Sequence, residues 1–326
     1  MKKRWIALFL CVVLCVAALA GCAAQPAEET GTPEASESTE ANESAEAAEP
    51  SSSEAAEADG VTVTDMAGNE VTVKKADKIV SLTPAGTEIV CALGAAKQLV
   101  GVDAYSDYPE ITESIEVVGD FNGPDVEKVA SLEPDVVLAG TGLQEEAVAQ
   151  LQELGIAVAV VEATTFDEIS GSIELIGEII GAQEEAQTVI GEIDAAVEEA
   201  QANQPAEKKT VYYVMSYGEN GNWTSGPGSF INTMIELAGG KCVTEDAEYP
   251  WIEYPVEDLV VANPDIILVG ETMGSEADGL AQAQGYQDLD AVKNGKVYEI
   301  DANVFTRPGP RIAEAIAQFS EILNEQ

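Results

Sequence analysis

Apolar and polar positions fall into two rhythms along the chain, and one combination of the two occurs twice. Asp125-Val126-Glu127-Lys128-Val129 runs on into Leu132-Glu133-Pro134-Asp135-Val136-Val137-Leu138-Ala139-Gly140. Later, Pro255-Val256-Glu257-Asp258-Leu259 runs on into Ala262-Asn263-Pro264-Asp265-Ile266-Ile267-Leu268-Val269-Gly270. Each copy predicts a short helix with a glutamate near its start, a Pro-Asp turn, and a short apolar run ending in glycine. Such a run, bounded by turn residues, fits a strand buried on both faces. Glu127 and Glu257 stand 130 residues apart, and the two Pro-Asp turns keep that offset.

A second pair supports the repeat. Lys78-Ile79-Val80-Ser81-Leu82 and Thr210-Val211-Tyr212-Tyr213-Val214 each read as a strand that leads across a polar turn into an apolar helix. Those helices end at Leu93-Gly94 and Leu237-Ala238-Gly239-Gly240, where glycine supplies a left-handed cap. The period is domain-sized, well above the ~20–50 residues of solenoid repeats. Two related α/β lobes follow. Strands alternate with helical stretches throughout, so the sheets are expected to be parallel.

The periodic region begins near residue 61, where Val61 to Val73 alternates on either side of Ala67-Gly68-Asn69, a hairpin signature. Between the lobes, Thr165-Phe166-Asp167-Glu168 is a capping box. Ile169, Ile173, Ile176 and Ile180 follow at helical spacing, Gly181 breaks the run, and an apolar stripe from Ala186 to Ala200 continues until Gln204-Pro205. The organisation expected is an N-terminal lobe over 61–165, a helical segment over 166–205 that includes the inter-lobe helix, and a C-terminal lobe over 206–326. Two Rossmann-like three-layer lobes joined by a single long helix should hinge only slightly.

The first sixty residues differ in kind. Met1-Lys2-Lys3-Arg4 is basic and Trp5 to Leu19 is apolar, too short for a membrane span of ~20 residues and suited to a signal peptide over 1–21. Leu19-Ala20-Gly21-Cys22 resembles the lipobox of bacterial lipoproteins, which implies lipid on Cys22 and a chain held outside the cytoplasmic membrane. From 22 to 60 the composition is mostly Glu, Ala, Ser, Thr and Pro, without a basic or aromatic residue. That segment cannot bury enough apolar surface to offset the entropy of ordering, and it reads as a disordered acidic tether.

Composition removes several function classes. There is no histidine among the 326 residues. Ser-His-Asp and Cys-His catalysis are therefore excluded, and a dedicated Zn²⁺ or Cu²⁺ site is disfavoured. Haem held by histidine is excluded too, although tyrosine ligation is not. The formal charge of −44 argues against nucleic acid as a partner and suits a partner with positive surface. Of the cysteines, only Cys91 and Cys242 remain beyond Cys22, and they are expected as free thiols. No nucleophile elbow, P-loop or dinucleotide fingerprint is present.

The aromatic residues fall in loops: Tyr105 and Tyr108 about Ser106-Asp107, Phe121 in Gly119-Asp120-Phe121-Asn122-Gly123, Trp223 after the second-lobe strand, Trp251 and Tyr254 about Ile252-Glu253, and Phe305 before Thr306-Arg307. Ligands of α/β sheets bind beyond the carboxyl ends of the strands, so loop aromatics from both lobes would line one cleft for a large, flat, partly apolar guest. Arg307, before a stiff Pro-Gly-Pro turn, offers either a fork for a ligand group or a structural ion pair. Arg311 reads as structural.

Four motifs together resemble the cobalamin and ferric-siderophore class of substrate-binding proteins of ABC importers. They are Ser81-Leu82-Thr83-Pro84-Ala85-Gly86-Thr87-Glu88, Tyr105-Ser106-Asp107-Tyr108-Pro109, Thr224-Ser225-Gly226 and Arg307-Pro308-Gly309-Pro310-Arg311. The likeness runs from about Val61 to the C-terminus and is nearest the cobalamin-binding branch. It implies a non-enzymatic protein without cofactor, acting as a monomer, with a corrinoid between the lobes against Tyr105, Phe121, Trp223 and Trp251 and with Arg307 reaching a side group. Glu127 and Glu257 match the two lobe-top glutamates that pair with arginines of the permease. Asn303 and Phe121 depart from the aspartate and tryptophan of the cobalamin site, which leaves a ferric siderophore or haem open as cargo. A carboxylate-dependent glycosidase is the remote alternative, with Glu127 and Glu257 in different lobes and poorly placed for it.

Overall fold

The computed structural model describes residues 60–120, 122–142, 144–270 and 277–325. The signal peptide, Cys22, the tether up to residue 59 and Phe121 lie outside the described residues.

The first half is a hairpin followed by a six-stranded sheet. Its elements are β1 (Val61–Thr64), β2 (Glu70–Val73), β3 (Ile79–Ser81), α1 (Pro84–Ala92), β4 (Leu99–Asp103), β5 (Glu116–Asp120), β6 (Gly123–Pro124), α2 (Val126–Ser131), β7 (Val136–Ala139), α3 (Glu145–Glu153) and β8 (Val158–Val160). The strand order is β6-β5-β4-β3-β7-β8, parallel except for β6. The expected hairpin pairs Val61 with Val73 and Thr64 with Glu70. Asp65 closes its turn, accepting from the amides of Ala67 and Asn69 at 3.0 and 2.8 Å. The other oxygen of Asp65 accepts the Val160 amide at 3.1 Å, which docks the hairpin onto the end of β8.

Two helices follow, α4 (Ile169–Ile180) and α5 (Gln183–Ala202). The carboxylate of Glu168 accepts the Thr164 and Thr165 amides at 2.8 and 3.1 Å and so opens the first of them. Gly181, at φ +75°, ends α4 in the left-handed region that favours glycine. The chain then restarts as α5, whose 20 residues make a rod of about 30 Å. This rod packs against α4 on one side of the molecule and against helices of the second half on the other.

The second half comprises β9 (Thr210–Val214), β10 (Trp223–Ser225), α6 (Phe230–Leu237), β11 (Lys241–Cys242), β12 (Trp251–Glu253), α7 (Val256–Ala262), β13 (Ile266–Gly270), α8 (Ala277–Leu280), α9 (Asp290–Lys293), β14 (Val297–Ile300), α10 (Ala302–Thr306) and α11 (Ile312–Asn324). Its sheet is parallel in the order β11-β9-β13-β14, while β10 and β12 form a separate antiparallel ribbon. The order β4-β3-β7-β8 of the first sheet is thus repeated in the second.

The repeat holds at the level of single hydrogen bonds. Asp135 accepts the Lys78 amide at 2.9 Å and its own amide donates to the Lys78 carbonyl at 2.8 Å. Asp265 does the same for Thr210, at 2.7 and 3.0 Å. The Pro-Asp turn therefore fixes the start of the neighbouring strand in both halves. Immediately before it, Glu133 and Asn263 both adopt positive φ, 50° and 42°. Along β7, Val136 and Leu138 belong to one apolar cluster and Val137 and Ala139 to another. Along β13, Ile266 and Leu268 likewise part company with Ile267 and Val269. Each central strand is buried on both faces, which gives three layers per sheet.

Cys91 and Cys242 are free thiols, and burial raises them to about 11 and about 12. No helix among the described residues is long and apolar enough to cross a membrane.

Candidate functional site

The carboxyl ends of β3, β4, β5 and β7 open onto a cavity of about 250 Å³, with Leu82, Thr83, Asp103, Tyr105, Asp120, Thr141, Gln144 and Glu162 among its walls. Gln144 knits it together, donating to the Leu82 carbonyl at 2.8 Å and accepting the Gly140 amide at 2.9 Å. Gly140 has a steric reason to lack a side chain: a Cβ there would lie 2.5 Å from Oε2 of Glu162. Its bareness lets that carboxyl turn into the cavity.

Two of the wall carboxyls are hard to ionise. Burial raises Asp103, against the opposing effects of the Ser106 hydroxyl, the Tyr105 amide and the Arg307 charge. Burial also raises Glu162, the Thr141 amide opposes it, and the Asp103 charge pushes it further up. Among the described residues, no lysine or arginine lines the cavity. It therefore suits neutral polar groups and, among the described residues, offers an anion no opposite charge. Because each folded-state value lies above the unfolded one, stability from these two groups is fullest below the ordinary carboxylate range and is lost as pH rises through the raised values. Glu162→Gln should accordingly raise the melting temperature at neutral pH and change it little near pH ~4, as thermal unfolding followed by circular dichroism across pH would measure. Equal melting temperatures at neutral pH would contradict this.

The aromatic residues divide into three groups. Tyr105 stands half-exposed at the rim of the cavity. Trp223 and Trp251 lie on the β10–β12 ribbon, where Trp223 pairs with Glu253 and Ser225 with Trp251. Side chains of one strand alternate between faces, so both indoles stand on the same face of the ribbon. They remain 41% and 39% exposed, with the Trp251 ring edge-on to Tyr213 at 6.4 Å. Phe305 is a correction. It is fully buried, with its ring 4.6 Å from that of Phe319, and belongs to the core rather than to a ligand surface. The stretch that reads as a loop is a helical turn, opened by Asp301 accepting the Asn303 amide at 2.9 Å, and that turn rolls Phe305 inward.

Arg307 resolves toward the ion-pair reading. Its guanidinium donates to Glu88 at 3.0 Å, to Asp107 at 2.7 Å and to the Tyr105 carbonyl at 3.1 Å. Arg311 donates to both oxygens of Glu88, at 2.9 and 2.6 Å, and lies 4.2 Å from the centre of the Tyr108 ring. Glu88 projects from α1 of the first half, and both arginines come from the second. One buried carboxylate between two guanidiniums therefore clasps the halves together and holds the Tyr105–Tyr108 loop. Arg307 also holds Asp107 below the usual carboxylate range. The fork that the sequence offered to a ligand is engaged by the chain's own groups.

Glu127 and Glu257 occupy corresponding places, each exposed in the first turn of a short helix, α2 and α7. Glu88, Asp103 and Glu162 escaped sequence reading as site residues. Their signal was a carboxylate inside an otherwise apolar stretch.

Residues 79–304 match the family described as periplasmic binding protein, and the chain belongs to that family. It is 34% identical over 98% of its length to YvrC of Bacillus subtilis, an uncharacterized ABC transporter substrate-binding lipoprotein, of which 97% is covered. It is 29% identical to the vitamin B12-binding protein of Vibrio cholerae, covering 76% of this chain and 89% of that one. The periplasmic haem-binding protein HutB of Vibrio cholerae superposes with a TM-score of 0.69 over 76% of this chain and 99% of the other, at 24% identity, a likeness of fold. The chain is thus an extracytoplasmic substrate-binding protein that takes a small molecule for an ABC importer, with vitamin B12-binding proteins among its relatives.

Proposed function

We propose that this chain captures cobalamin or a related corrinoid and delivers it to a permease, with no bond chemistry of its own. The observation that carries the reading is the cavity beyond β3, β4, β5 and β7. Burial disfavours ionisation of Asp103 and Glu162, no lysine or arginine among the described residues lines it, and Arg307 is occupied elsewhere. A corrinoid presents neutral amide arms that can hydrogen-bond to such carboxyls, whereas the carboxylates of haem and the charge of a ferric catecholate would find no cationic partner there. Tyr105, Trp223, Trp251 and Phe121 would supply flat apolar contact to the ring.

The remaining parts follow from that role. Lipid on Cys22 would anchor the chain, and the acidic tether would hold it off the membrane as a monomer. Glu127 and Glu257 would meet arginines of the permease, and charge-assisted pairs at both would set the docking register. The clasp and the α5 rod favour a nearly preformed cleft, opened when the importer draws the halves apart.

A thermal-shift panel tests the cargo. Cyanocobalamin should raise the melting temperature of the full chain, and haem and ferric siderophores should leave it unchanged; a larger shift with either of those would overturn the assignment. Docking is tested separately. Glu127→Gln with Glu257→Gln should leave capture intact and lower corrinoid uptake several-fold in cells, and unchanged uptake would remove the docking role.

A further inference from the structure

The helix after the first strand closes in the same way in both halves. In α1 the Gly94 and Ala95 amides donate to the Cys91 and Val90 carbonyls, each at 3.0 Å. In α6 the Gly239 and Gly240 amides donate to the Glu236 and Ile235 carbonyls at 3.0 and 2.8 Å. Every residue of the first set stands 145 places before its partner in the second, which puts the two helices in register. On that register Thr87 corresponds to Asn232, and both are buried polar side chains. A polar group in such a place is kept with its hydrogen bonds made.

Each makes them toward the segment that carries exposed aromatic residues of its own half. Thr87 Oγ1 lies 2.8 Å from Ser106 Oγ, and the single hydroxyl hydrogen of Ser106 goes to Asp103 at 2.5 Å, so Thr87 donates to Ser106. Ser106 follows β4, with Tyr105 beside it. Asn232 accepts the Ser225 hydroxyl at 2.6 Å and donates to the Thr244 hydroxyl oxygen at 3.4 Å. The Thr244 hydroxyl in turn donates to the Ser225 carbonyl at 2.6 Å, which closes a buried ring of three side chains. Thr244 follows β11, which holds the place of β4 in the second sheet. Ser225 pairs with Trp251 in the ribbon and stands two residues from Trp223.

The second half has particular need of such a tie. Two residues separate β3 from α1, whereas fifteen, 215–229, separate β9 from α6. β10 arises in that longer link and pairs with β12 over three residues, and a two-stranded ribbon is marginal by itself. We infer that Asn232 and Thr87 are equivalent positioning residues. Each reaches from the first helix of its half to fix the segment that presents aromatic rings to the cargo, Trp223 and Trp251 in one half and Tyr105 in the other. This rests on the reading in which those rings meet the ligand.

The test uses the ¹⁵N-labelled full chain, first free of ligand and then titrated with cyanocobalamin. Asn232→Leu, and the milder Ser225→Ala, should move the indole N–H signals of Trp223 and Trp251 and weaken cyanocobalamin about tenfold. Thr87→Val should leave the indoles in place, move the Tyr105 amide and weaken the ligand to a similar degree, and Thr87→Ser should restore both. Ile316→Val, a change in the buried face of α11, should lower the melting temperature and alter neither the signals nor the affinity. Still indoles in both Asn232→Leu and Ser225→Ala, or an affinity loss from Ile316→Val as large as theirs, would overturn the role of Asn232. A Tyr105 amide that Thr87→Val leaves in place would overturn the equivalence of the two residues. A wild-type chain that takes up no cyanocobalamin would sink the cargo reading, while the ligand-free signals would still decide the positioning.

Discussion

Glu88→Ala is expected to destabilise the chain by about 3–5 kcal/mol, the range for breaking a buried ion pair from one side. Glu88 and the two arginines have side-chain exposures of 2%, 11% and 11%. Removing the carboxylate leaves two nearly buried guanidiniums facing each other, with Asp107 the acid still hydrogen-bonded to one of them, and Asp107 is 60% exposed. The loss includes three charge-assisted hydrogen bonds, all of them between the halves. In a chain of this size it corresponds to a melting temperature lower by roughly 10 °C. Asp107→Asn removes only an exposed partner and should cost about 1 kcal/mol or less. Calorimetric unfolding of both variants separates the two expectations, and similar losses from both would contradict the clasp.

The second large effect concerns the indoles. Trp223→Ala or Trp251→Ala should each weaken the ligand by about 2 kcal/mol, some thirtyfold, the loss usual for an aromatic anchor at a binding surface. Stability should change far less, because both rings are already some two-fifths exposed in the ligand-free chain. Phe305→Ala should behave oppositely, since its ring is enclosed against Phe319. It should destabilise the fold and leave the affinity of the surviving folded chain near its original value. Binding and unfolding measured on the three variants would decide, and an affinity loss confined to Phe305→Ala would return that residue to the site.

What could be read along the chain were the features whose causes are local. The duplicated Pro-Asp turn was legible because Asp135 and Asp265 each cap a neighbouring strand, and Glu133 and Asn263 each take the left-handed turn before it. Strand burial on both faces was legible in the apolar runs. The clasp was not. Glu88 and its arginines are 219 and 223 residues apart, so a local window registers only a glutamate in an apolar helix. The cavity carboxyls were hidden for a similar reason, since Glu162, after β8, enters only because Gly140, after β7, leaves room. Phe305 misled because a single helical turn between Asp301 and Arg307 is too short to announce itself as periodicity. Arg307 was visible as a fork seeking an anion, and the anion proved to be the chain's own.

The central claim is that the cleft holds a neutral, amide-bearing macrocycle. Calorimetric titration of the full chain with cyanocobalamin, followed by desalting and a spectrum, tests it most directly. Saturable heat at one site per chain is expected, with corrin absorbance that stays with the protein. No heat with cyanocobalamin, together with a haem Soret band retained on the same chain, would contradict it.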